Sequence, residues 1–119
     1  MATKNITEHD FKETIEDNDI VILDFWASWC GPCRAFAPTF ERVSEKHPDI
    51  VFGKVNTEEQ RALAAGFGIQ GIPTLMVFRE GIMLLNQAGA LPASALERLV
   101  QQVRDLDMEE VRAKATPAE

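Results

Sequence analysis

The stretch Ile20-Val21-Ile22-Leu23-Asp24-Phe25-Trp26 constrains the fold more than any other part of this chain. Its apolar residues point to both alternating faces. A strand buried on both faces belongs in the middle of a sheet with helices packed on each side. Residues Cys33 to His47 supply one such helix, with Phe36, Phe40 and Val43 on a single stripe and Pro48 ending it. With 119 residues, the chain is long enough for one well-buried domain and too short for two.

The other elements follow from local signals. Thr7 reads as the cap of a helix running to about Glu16, with Phe11 and Ile15 on one face, and Asp17-Asn18-Asp19 is a turn. Ile50 to Val55 is a second buried strand. Thr57-Glu58-Glu59-Gln60 reads as a capping box opening a short helix to Ala65, which Gly66 and Gly68 break. Thr74 to Phe78 and Ile82 to Leu85 flank the turn Arg79-Glu80-Gly81 as a hairpin. Pro92 suits the first position of a helix striped by Leu96, Leu99, Val100 and Val103. A short strand at Lys4 to Ile6 would add an edge. This order of elements predicts one α/β domain over residues 1–106, a mixed sheet covered by helices. The polar residues 107–119 read as a frayed helix passing into disorder.

Twelve basic residues stand against nineteen acidic ones, a net charge of -7. This disfavours nucleic acid and anionic membrane as partners, because both call for cationic patches. No apolar run is long enough to span a bilayer. Met1 to Asp10 lacks the pattern of a secretory signal, so a cytoplasmic location is expected, the mature part of an exported protein being the other reading.

The only cysteines are Cys30 and Cys33. A bridge between them closes too short a loop to stabilise much, so the pair points to chemistry or to metal. Zinc asks for about four ligands, and the other strong candidates, His9 and His47, flank helices away from this turn. A c-type haem site would need histidine where Arg34 stands. Redox chemistry fits better. Cys30-Gly31-Pro32-Cys33 lies where a buried strand turns into a helix, whose free amides and dipole favour a thiolate. The spacing puts both sulfurs on one helix face, with Cys30 as the exposed attacker and Cys33 as the resolving thiol one turn inward. Pro32 is tolerated in the first turn. The neutral Gly31-Pro32 pair adds no cation to hold the thiolate, which favours a reductant over an oxidant.

Taken together, Asp24-Phe25-Trp26-Ala27-Ser28-Trp29-Cys30-Gly31-Pro32-Cys33, Lys54-Val55-Asn56, Gly71-Ile72-Pro73-Thr74 and Gly89-Ala90-Leu91 resemble the thioredoxin family, over about residues 3–105. The resemblance implies a five-stranded sheet flanked by four helices. It implies reduction of disulfides in client proteins without a bound cofactor, and re-reduction by thioredoxin reductase, a flavoprotein using NADPH. A monomer is expected. Asp24, read alone, is either a solvated strand-end carboxylate or, because Ile22 and Trp26 share its face, a desolvated one with a raised pKa. The resemblance makes it the carrier of the Cys33 proton, with Lys54, otherwise an ordinary surface lysine, as its charged neighbour. It also implies a cis Ile72-Pro73 bond beside Cys30, and a docking surface of Trp29, Gly31, Pro32, Ile72, Pro73, Gly89 and Ala90 where the Ile72 backbone pairs with an extended client. Pro38 should kink its helix. Arg34, where lysine is frequent, Ala88 at the docking rim and the C-terminal tail depart from the family pattern. A partner-specific reductase or isomerase, and a binding module on the same fold, are the alternative functions.

Overall fold

The computed structural model describes residues 2–115. In chain order its elements are β1 (Lys4–Asn5), α1 (Phe11–Asp17), β2 (Ile20–Trp26), α2 (Gly31–Glu45), β3 (Val51–Asn56), α3 (Arg61–Gly66), β4 (Thr74–Arg79), β5 (Ile82–Ala88), α4 (Ala93–Arg104) and α5 (Met108–Lys114). The strands form one five-stranded sheet in the order β1-β3-β2-β4-β5. β1, β3 and β2 run parallel, and β4 and β5 follow antiparallel.

The doubly apolar β2 is central. Ile20 and Ile22 pack with Phe36, Phe40 and Val43 of α2 and Leu96, Val100 and Val103 of α4. On the other face Val21, Leu23 and Phe25 meet Ile15 of α1, with Phe11, Leu63 and Phe67 at the margin. Phe25 and Phe40 are fully buried, each contributing about 1.5–3 kcal/mol relative to exposure. At Gly53 the sheet leaves no room for a side chain: a Cβ there would lie 2.6 Å from Ile6 Cγ1 and 2.8 Å from Leu23 Cδ2. The hairpin turns through Glu80 and Gly81, both at positive φ (53° and 80°), as a two-residue loop matched to strand twist requires. Arg112 of α5 pairs with Glu80.

Several boundaries differ from the sequence reading. Asp10, not Thr7, is the N-cap of α1; its carboxylate accepts from the Thr7 backbone N–H (2.7 Å) and hydroxyl. Helix α2 begins at Gly31, two residues before Cys33, and runs through Pro38 to Glu45. Residues 57–59 are a turn, so the capping box does not form; Gln60 caps α3 without a side-chain bond. Pro92 is the N-cap of α4 and not its first residue. β5 continues to Ala88, beyond Leu85. The described residues hold five helices where the family resemblance implied four. The additional one, α5, is capped by Asp107, whose carboxylate accepts from the Glu109 and Glu110 amides, and it buries Met108. Of the expected disordered end, residues 116–119 lie outside the described residues.

Candidate active site

The site is built where the apolar β2 runs out and α2 begins. Cys30 is the N-cap of α2, with extended backbone (φ −86°, ψ 112°). Its sulfur accepts the Cys33 backbone N–H at 3.2 Å, the place a serine or threonine oxygen takes at other helix starts. Gly31 and Pro32 form the first turn, and the proline costs no hydrogen bond there. The two cysteines are joined as a disulfide, with Cα atoms 5.2 Å apart, inside the usual range for such a bridge.

Both cysteines are largely covered, Cys30 being 4% and Cys33 2% exposed. The expected contrast between an exposed attacker and a buried partner is therefore small in the oxidised protein. Ala27, Trp26 and Ile72 pack around the pair. What separates the two is position: Cys30 caps the helix directly after Trp29, which is 68% exposed, while Cys33 faces inward from the first turn.

The Ile72-Pro73 bond is cis, and the Ile72 carbonyl oxygen lies 3.7 Å from Cys30 Sγ. Among the described residues, Ile72 makes no backbone hydrogen bond to another main-chain group. Gly31, Pro32, Gly89 and Ala90 are exposed, Ile72 is half-buried and Pro73 is buried. Pro73 thus supports the surface from beneath more than it forms it. Its carbonyl accepts from Gly89 N–H at 2.8 Å, and Gly89 adopts φ +111°, a conformation open to glycine.

Asp24 is fully buried, and neither carboxylate oxygen has a protein hydrogen-bond partner. It pairs in register with Lys54 on β3 and Leu75 on β4. Burial raises its carboxyl from 3.8 to about 7, against a smaller opposing pull from the Lys54 charge. Of its two sequence readings, the desolvated one is therefore correct. Lys54 is half-buried, with Nζ 4.8 Å above the Trp26 ring, so its charge reaches Asp24 through space and not through a contact ion pair.

The sequence reading missed a second layer. Thr57 N–H and Oγ1 both donate to the Trp26 carbonyl, at 2.8 and 3.0 Å. Glu58 accepts from the Ser28 N–H and hydroxyl. Thr57 and Glu58 read locally as a helix cap, and no local signal distinguishes a turn whose side chains bond a strand end about thirty residues away. Among the described residues no group of three or more His, Cys, Asp or Glu side chains could hold a metal ion.

The sequence model of the thioredoxin family matches residues 2–102. The chain belongs to the thioredoxin family. A Streptomyces coelicolor protein named "Putative thioredoxin 2" is 51% identical over 111 residues, covering 93% of this chain and 83% of that protein. The thioredoxin of Porphyra purpurea is 40% identical, covering 82% of this chain and 92% of its own. Among solved structures, a mutant thioredoxin from Halobacterium salinarum superposes with a TM-score of 0.79 at 32% identity, covering 87% of this chain and 91% of that one. Plasmodium falciparum thioredoxin superposes at 0.77 and 35% identity, covering 84% and 98%. With its Cys30–Cys33 pair, this member of the family is a protein dithiol–disulfide oxidoreductase. No helix among the described residues is long and apolar enough to cross a membrane.

Proposed function

We propose that the domain of residues 1–106 reduces disulfides in client proteins by attack of Cys30. In the dithiol form, the Cys30 thiolate caps α2 and accepts the Cys33 N–H, an interaction that favours the charged sulfur. Trp29, Gly31, Pro32, Ile72, Gly89 and Ala90 offer a mostly apolar surface, with Pro73 beneath it. The Ile72 backbone is free to pair with an extended client. Cys30 attacks one client sulfur, forming a mixed disulfide as the other client sulfur leaves as a thiolate. Asp24 takes the Cys33 proton. The new Cys33 thiolate attacks Cys30 Sγ, closing the disulfide and expelling the second client thiolate, which picks up a proton. Lys54 tempers the cost of the Asp24 charge in this step. Two electrons from an NADPH-dependent flavoprotein reductase, thioredoxin reductase, restore the dithiol.

The chain works without a bound cofactor, as a monomer, in the cytoplasm, where a reducing environment keeps the dithiol form available. Its acidity argues against nucleic acid as a partner. The observation that carries this reading is the cysteine sulfur at a helix cap, 3.7 Å from a backbone carbonyl that has no main-chain partner among the described residues. The test is NADPH oxidation coupled through a reductase to insulin disulfides. Wild type should sustain turnover, Cys30→Ser should abolish it, and Cys33→Ser should accumulate mixed disulfides. Turnover retained by a Cys30→Ser, Cys33→Ser double variant would contradict the proposal.

A further inference from the structure

Ser28 is exposed, yet its N–H, hydroxyl and carbonyl are all engaged. Its N–H and Oγ donate to Glu58 Oε1 at 3.0 and 2.8 Å. Its carbonyl accepts from Arg34 Nη1 at 2.8 Å. These bonds come from opposite sides, one from the turn after β3 and one from the start of α2. Each has an ionised partner, the stronger class of hydrogen bond. Trp26 is held just upstream by Thr57, and the Cys30 N–H donates to Ala27 O at 3.2 Å. Trp29 is the one residue of this loop that projects freely.

We propose that Glu58 and Arg34 are positioning residues for client docking, fastening the Ser28 peptide from both sides and so fixing Trp29 beside the disulfide. The proposal rests on the docking role given to Trp29 above. Without the tie, Ser28 is restrained only through its buried neighbours Ala27 and Cys30 and the bond between them, and the indole samples more orientations, which a docking client must order. The effect falls on client affinity. Cys30 keeps its own stabiliser, the Cys33 amide of the helix cap, which the tie does not touch. The Glu58 carboxyl is held below its ordinary range, first by the Ser28 N–H and then by the Ser28 hydroxyl, as expected of a carboxylate engaged while charged. Arginine at position 34 also acquires a reason: its planar fork presents a directed donor to the Ser28 carbonyl, which a lysine ammonium supplies with less geometric definition.

The test uses the full chain and two probes: insulin, with dithiothreitol as electron source, and a small aromatic disulfide that needs no docking surface, mixed with the pre-reduced protein after the reductant has been removed. Glu58→Ala should raise KM for insulin about threefold to tenfold. Its kcat and its rate with the small disulfide should stay within about twofold, because the thiols are untouched. Glu58→Gln keeps an acceptor oxygen and should restore most of the affinity; Arg34→Lys should raise KM without changing the pH profile of Cys30 alkylation. Trp29→Ala separates docking at Trp29 from the tie that positions it. If it raises KM while Glu58→Ala does not, the tie is wrong and the docking surface stands. If Trp29→Ala leaves KM unchanged, the docking reading fails and takes the tie with it. Equal loss with insulin and the small disulfide in Glu58→Ala would place the effect on the thiols and overturn the proposal.

Discussion

Replacing Asp24 with alanine should make the protein more stable at neutral and alkaline pH. The unfolded carboxyl loses its proton near 3.8, whereas burial holds the folded one to about 7. Between these values the folded state binds more protons, so stability falls as pH rises, and above about 7 the penalty is complete. A displacement of about 3 units corresponds to about 4 kcal/mol. Alanine leaves some space behind, which returns about 1 kcal/mol of that. The net gain at pH 8 is then about 2–4 kcal/mol, or about 0.5–1 M in the guanidinium midpoint for a slope of about 4 kcal/mol per M. Unfolding followed by Trp26 and Trp29 fluorescence at pH 8 and pH 4 measures it. The advantage should vanish at pH 4, where the folded carboxyl is neutral and the unfolded one nearly half so. Disulfide reduction should slow in the same variant. An equal or lower midpoint at pH 8 would refute the argument that burial makes this charge costly.

Two other substitutions test the packing of the sheet and the end of α4. Gly53→Ala forces a Cβ against Ile6 and Leu23 and should lower stability by about 1–3 kcal/mol; an unchanged denaturation midpoint would mean that β1 yields freely. Arg79 donates through Nη1 to the carbonyls of Val103, Arg104 and Leu106 at 2.7, 3.2 and 3.3 Å, closing the end of α4. Arg79→Met keeps the stem and removes the donors, and should cost about 1–3 kcal/mol, again read from the midpoint; no loss would show that water caps those carbonyls as well.

The parts legible in the sequence were those fixed by burial and by short-range chemistry. The doubly apolar run at Ile20–Trp26 announced a central strand, and the stripes through Phe36-Phe40-Val43 and Leu96-Val100-Val103 announced the helices above it. The CxxC turn announced its chemistry because a helix start is one of few places that favours a thiolate. Asp24 was legible as a conflict, a carboxylate on the face of Ile22 and Trp26. What could not be read were side chains whose partners lie far along the chain. Thr57 and Glu58 carry the pattern of a helix cap, but their bonds go to Trp26 and Ser28. Asp10 displaced Thr7 because its carboxylate takes the Thr7 amide and hydroxyl. β5 ran past Leu85 because Asn86 and Gln87, on a sheet edge, meet solvent and carry no apolar alternation. α5 was obscured by its polarity; only Met108 is buried, and the Asp107 cap reads equally well as tail. The near-equal cover over the two cysteines follows from Ala27, Trp26 and Ile72 closing around them, a tertiary fact.

The proposed division of labour, attack by Cys30 and resolution by Cys33, can be read by fully reducing the protein, exposing it briefly to limiting iodoacetamide at about pH 7, and mapping the labelled peptides. The helix cap gives Cys30 the Cys33 amide as a donor and sets it beside the exposed Trp29. Cys30 should therefore be alkylated first, at least about tenfold faster than Cys33, as a thiolate stabilised at a helix N-terminus reacts before a neighbour without that support. Labelling that begins at Cys33, or proceeds equally at both, would overturn the assignment of Cys30 as the attacking thiol.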